Sequence, residues 1–74
     1  MKKVIVVKIS EHCGNTSWGF DFIKKVPNHE GKGKHWSSFL TELALPDYKT
    51  VLDHITIAKE KLRKDNPNII YRFI

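Results

Sequence analysis

Reactive side chains gather in two places along the chain. One is Glu11-His12-Cys13, and the other is the run PNHEGKGKHW, from Pro27 to Trp36, with two histidines, two lysines, a glutamate and a tryptophan. Four chemistries use such residues: a cysteine nucleophile with a histidine base, a carboxylate-imidazole acid-base pair, a metal site and a phosphate grip. Each makes a geometric demand. His12 and Cys13 are neighbours, and adjacent residues in a strand or turn point in different directions, with no carboxylate placed to orient the imidazole. Glu30 with His29 or His35 would need a pocket that 74 residues are hard pressed to build. Among His12, Cys13, His29 and His35 no pair has the spacing of a zinc finger. Gly31-Lys32-Gly33-Lys34 lacks the glycine spacing, the Lys-Ser/Thr ending and the strand-to-helix setting of a P-loop. The expectation is a protein with no enzymatic activity, no metal and no cofactor.

The remaining chemistry is charge and apolar surface. Thirteen lysines and arginines oppose eight acids, a net charge of +5, which attracts polyanions and also serves solubility. The cations fall into three groups: Lys24 and Lys25 before Pro27, Lys32 and Lys34 in the loop, and Lys59, Lys61, Arg63 and Lys64 near the end of a helical pattern. A nucleic-acid reader needs such cations for phosphates and aromatics for bases, and Trp18, Trp36 and Tyr71 are candidates for the second role. The loop itself is expected to be a mobile connection and at most an auxiliary contact.

The elements that must position these groups follow from periodicity. KVIVVKIS, Lys3 to Ser10, is β-branched and apolar on both alternating faces, as an interior strand is. Gly14-Asn15 supplies turn chemistry, and WGFDFIKKV alternates as a second strand that Pro27 stops. HWSSFLTELAL gives a third strand, with Phe39, Thr41 and Leu43 on one face and Ser38, Leu40 and Glu42 on the other. Leu45-Pro46-Asp47 starts a helix, with proline at its first position. Tyr48, Val51, Leu52, Ile55, Ala58 and Leu62 recur at helical spacing as its buried stripe; Asn66-Pro67 ends it, and NIIYRFI is a last strand. The fold class is α+β: one domain over residues 1–74, β-β-β-α-β, a four-stranded mixed sheet of order 3-2-1-4 with the helix packed on one face.

The single cysteine, Cys13, has no partner for an internal disulfide, which fits a reducing compartment. The first apolar run breaks at Lys8, too short for an export signal, and nothing approaches the ~20 apolar residues of a membrane span. A cytoplasmic location and no membrane partner are expected.

One helix covers one face of a four-stranded sheet, yet the first and last strands are apolar on both. The uncovered face therefore calls for a partner, with Trp36, Ile70, Arg72 and Ile74 as the interface residues, or for the loop and Trp36 to fold across it. The first reading is a small protein-interaction module, self-associating as a homodimer or acting on another protein. Its size, lone cysteine and lack of a catalytic signature resemble the small accessory and inhibitor proteins of phages and mobile elements. The alternative is a nucleic-acid binder using the three basic groups.

Overall fold

In the computed structural model, which describes residues 2–74, the chain runs β1 (Lys3–Cys13), β2 (Trp18–Pro27), β3 (Lys34–Leu45), α1 (Tyr48–Asp65) and β4 (Ile69–Phe73). The sheet order is β3-β2-β1-β4. β1 pairs antiparallel with β2 and parallel with β4, and β2 pairs antiparallel with β3. This is the α+β arrangement that the periodicity predicts, with the doubly apolar strand inside the sheet.

Local chemistry sets the boundaries. β1 runs three residues past Ser10, to Cys13, before the Gly14 amide donates to the Ser17 carbonyl at 2.7 Å and closes the first turn. β2 ends at Pro27, which has no N–H to give a ladder. The loop after it is organised around Asn28 and is not the loose connection that its composition suggests. Asn28 donates from Nδ2 to the Lys32 carbonyl and accepts on Oδ1 from His35 Nδ1 at 2.6 Å, while its backbone bonds Gly31 and Gly33. Gly31 and Gly33 take φ of 72° and 71°, the left-handed region that glycine enters without strain.

β3 is longer than its simple alternation and carries two irregularities. One falls between the pairs Phe22↔Leu40 and Ile23↔Ser38, so Phe39 is the extra residue. A bulge puts two successive side chains on nearly the same side; Phe39 and Leu40 both pack against the core, which corrects the expected grouping of Phe39 with Thr41 and Leu43. The second lies near the strand end, where Ala44 adopts a φ of 62°.

α1 begins two residues later than the proline rule implies, at Tyr48 and not at Pro46. Asp47 is the N-cap, its Oδ1 accepting from the Thr50 amide at 2.8 Å, and Pro46 lies outside the helix. Arg63 and Lys64 sit in the last turn, where cations meet the negative end of the dipole. Asn66 Nδ2 donates back to the Leu62 carbonyl at 3.0 Å.

The core lies between α1 and one sheet face. Val7, Phe20, Phe22 and Val51 are wholly inaccessible, and Leu45, Ile55, Ala58 and Tyr71 complete it. Phe22 is the hub, with the rings of Phe20 and Phe73 both centred 5.5 Å away. The helix stripe is narrower than its spacing suggests: Val51, Ile55 and Ala58 are buried and Leu62 half-buried, whereas Tyr48 and Leu52 remain exposed at the stripe's edge. His54 beside it donates from Nδ1 to Glu42 Oε1 at 2.9 Å, pinning α1 to β3.

Candidate functional site

β-strand alternation sends Val4, Val6 and Lys8 of β1 to the sheet face opposite α1, because Val7 between them is buried under the helix. Registered with them are Ile23 and Lys25 of β2, Trp36 of β3, and Ile70 and Arg72 of β4; Leu43 shares the face by alternation with Thr41, and Ile74, just past β4, by alternation with Arg72. Among the described residues no helix or loop covers this face. Val4, Val6, Trp36, Leu43, Ile70 and Ile74 are 53, 40, 39, 64, 45 and 68% exposed. Four of these six come from β1, from β4 and from Ile74 just past it, the segments that read as apolar on both sides.

The residues expected from sequence to form an interface, Trp36, Ile70, Arg72 and Ile74, all lie on this face. Trp36 neither folds into the core nor closes over the sheet. Its ring stands at one side with the Lys25 ammonium 5.5 Å from its centroid. Val4, Val6 and Leu43 were not singled out as interface residues. Val4 and Val6 carried a signal, since they form the second apolar side of β1; Leu43 follows Thr41 outward by plain alternation, and the irregularity at Ala44 comes after it and returns Leu45 to the core.

At one end the sheet divides. The register of β1 on β2 runs from Cys13↔Trp18 to Val7↔Lys24 and stops, although β1 continues back to Lys3 and β2 on to Pro27. Beyond that point β1 stays with β4, and β2 stays with β3. The two arms enclose a cleft of about 660 Å³, with Lys3, Val4 and Val6 on one wall, Lys24, Lys25 and Val26 on the other, and Lys34, Trp36 and Ile74 around it. Among the described residues no acidic side chain lines it.

The structure brings the predicted cations together in part. Lys25 and Lys34 are exposed at the cleft with Lys3, which sequence reasoning passed over. Lys24 is half-buried, its ammonium 4.9 Å from the centre of the Phe39 ring. Lys32 points from the loop. On the helix, Lys59 and Arg63 both lie over Phe73, at 5.0 and 5.1 Å, so their stems cover aromatic surface at the core's rim. Lys61 borders a separate groove of about 470 Å³ between α1 and β3, with Leu40 and Ile57, and Lys64 is exposed at the helix end.

The groups weighed for catalysis are separated or otherwise engaged. Cys13 is exposed and faces away from His12, as alternation requires. His12 Nε2 lies 3.5 Å from Asp21 Oδ2, and Asp21 also accepts hydrogen bonds from Ser38 and Thr41. His35 is held by Asn28. One carboxyl and one phenol at the start of α1 are shifted. Bonds from Thr50, backbone and then side chain, hold Asp47 below the usual carboxylate value, and a hydrogen bond to Glu11 raises the Tyr48 phenol. Both belong to the helix start and lie far from the cleft. Among the described residues no helix is long and apolar enough to cross a membrane.

No family model matches the sequence, and comparison with curated proteins and with solved structures returns no match.

Proposed function

We propose that the protein is a small, non-enzymatic interaction module that docks on an acidic protein partner through the sheet face turned away from α1. One observation carries this reading: six large apolar side chains stand exposed on a single uncovered face, an arrangement that marks interfaces in soluble proteins. Lys8, Lys25, Lys34 and Arg72 border them, and the face's own carboxylate, Asp21, is already engaged by Ser38, Thr41 and His12. A partner with an apolar centre and an acidic rim satisfies both features.

The same border argues for a different protein over a second copy. A two-fold homodimer presents one patch to itself, so this face would bring like charges together, which costs affinity. The scale and chemistry suit an accessory or inhibitor protein of the kind found in phages and mobile elements.

A second reading has its own support. Apart from Lys8 and Lys49, the basic residues lie toward the end that holds the cleft, the Asn28 loop and the C-terminus of α1, as a nucleic-acid footprint would require. The two readings separate cleanly. Affinity capture from the native host, repeated with Val6→Glu/Ile70→Glu and with Lys61→Glu, is expected to lose an acidic protein with the first variant and keep it with the second. A captured set indifferent to the face variant sinks the module reading. A retarded band with DNA or RNA at ~50 mM salt that fades by ~200 mM supports the alternative.

A further inference from the structure

We infer that the cleft between β1 and β2 receives an extended acidic-apolar segment of the protein partner as an added strand, bonded to the main chain of Val4 and Val6. This rests on the interaction-module reading and gives the partner's contacting segment a form. Three independent properties of the cleft walls converge on it.

The first is the main chain. Lys3 N–H donates to the Asn68 carbonyl at 3.3 Å, and the Ile74 N–H donates to the Val7 carbonyl at 2.9 Å. Residues 3 and 7 therefore turn their backbone groups toward β4. Alternate residues of a strand turn these groups to opposite sides, so Val4 and Val6 present N–H and C=O to the cleft, where β1 has no β2 partner. On the far wall the parity of Ile23, opposite Lys8, aims the Lys25 backbone the same way. An unpaired strand edge is a template for another strand. At a rise of ~3.3 Å per residue, Lys3 to Val6 extend over ~13 Å, the length of a four-residue segment.

The second property is the apolar lining. Val4, Val6, Ile74 and Trp36 lie on the open-face side of the cleft, so alternate side chains of an added strand meet apolar partners. The third is charge, from Lys3, Lys25 and Lys34. A cleft near 660 Å³ is within the ~300–1,000 Å³ of ordinary ligand sites.

An oligonucleotide would use the lysines but not the strand edge. One face of the Trp36 ring, moreover, already carries the Lys25 ammonium, which occupies a surface on which a base would stack. Peptide main chain uses all three properties; a phosphate backbone uses one.

The test is fluorescence anisotropy with a labelled heptapeptide alternating glutamate and valine, beside the same peptide N-methylated at alternate amides and an octathymidylate. Val4→Pro removes a cleft-facing N–H while leaving the bonds to β4, so the circular dichroism spectrum and thermal midpoint are expected to hold. Binding of the heptapeptide is expected to fall about tenfold or more with Val4→Pro, and likewise with the N-methylated peptide in at least one of its two methylation registers, as loss of a main-chain hydrogen bond in an enclosed site implies. Lys25→Glu/Lys34→Glu is expected to reverse the preference toward a lysine-valine heptapeptide. Should Val4→Pro fail to fold, N-methylation alone decides. Heptapeptide binding indifferent to both backbone changes, tighter binding of the octathymidylate, or no binding by any probe would each overturn strand addition. If capture still depends on Val6 and Ile70 in that event, the interaction module stands without it.

Discussion

Single atoms set the tolerances of this small domain. Gly19 is the tightest point: a Cβ there would lie 2.6 Å from the Glu42 carbonyl oxygen, 2.7 Å from the His12 ring and 3.0 Å from Leu43. The backbone oxygen cannot move without shifting β3 on β2. Gly19→Ala is therefore expected to destabilise the fold by about 2 kcal/mol, measurable by urea denaturation; a loss below ~0.5 kcal/mol would show that β3 gives way freely. Asp47 makes a pH-dependent contribution. Its folded value lies below the ordinary 3.8 because Thr50 donates to the carboxylate. A depressed carboxylate stabilises above its unfolded value and loses that contribution as pH falls through the folded one. Asparagine caps helices without titrating. The thermal midpoint of the native protein is thus expected to fall faster than that of Asp47→Asn as pH drops below 3.8; parallel curves would contradict the assignment.

Elements divide into those that local pattern specifies and those that depend on pairing. β-branched runs, the break at Pro27 and the Leu45-Pro46-Asp47 helix signal made all five elements legible, though not the helix's first residue, and the doubly apolar β1 made the strand order legible. Local pattern does not encode how far two strands stay paired, so the division of β1 from β2 below Val7 was invisible in the sequence. Nor does it reveal a bulge: strict alternation placed Phe39 on the wrong face, because one extra residue reverses the parity of everything before it. The helix-end cations read as free charge, yet Lys59 and Arg63 lie over Phe73, a contact between segments that no local rule anticipates. The two sheet faces also differ in energetic role. Phe22→Ala is expected to cost about 4 kcal/mol, a large part of the stability of a domain this size, whereas Val6→Thr on the open face should change it by under ~0.5 kcal/mol. Equal costs in thermal denaturation would mean that the open face is part of the folding core.

Considered whole, the molecule is polarised. Cations concentrate where the sheet divides, and Glu11, Glu42, Asp47 and Asp53 lie toward the opposite end. Such a field would favour end-on approach by an acidic surface and would oppose association of like copies at low ionic strength. The protein is expected to remain a monomer by light scattering at ~50 mM salt, with any self-association emerging only as screening shortens to ~3 Å near 1 M; a dimer at low salt that salt dissolves would contradict this. The divided sheet also writes a signature into β1. Amide protons of Lys3, Ile5 and Val7 are locked against β4, while those of Val4 and Val6 face the opening, so deuterium should enter the strand at every second residue. Closure of that alternating pattern would time the arrival of a binding partner residue by residue, without any label on the protein.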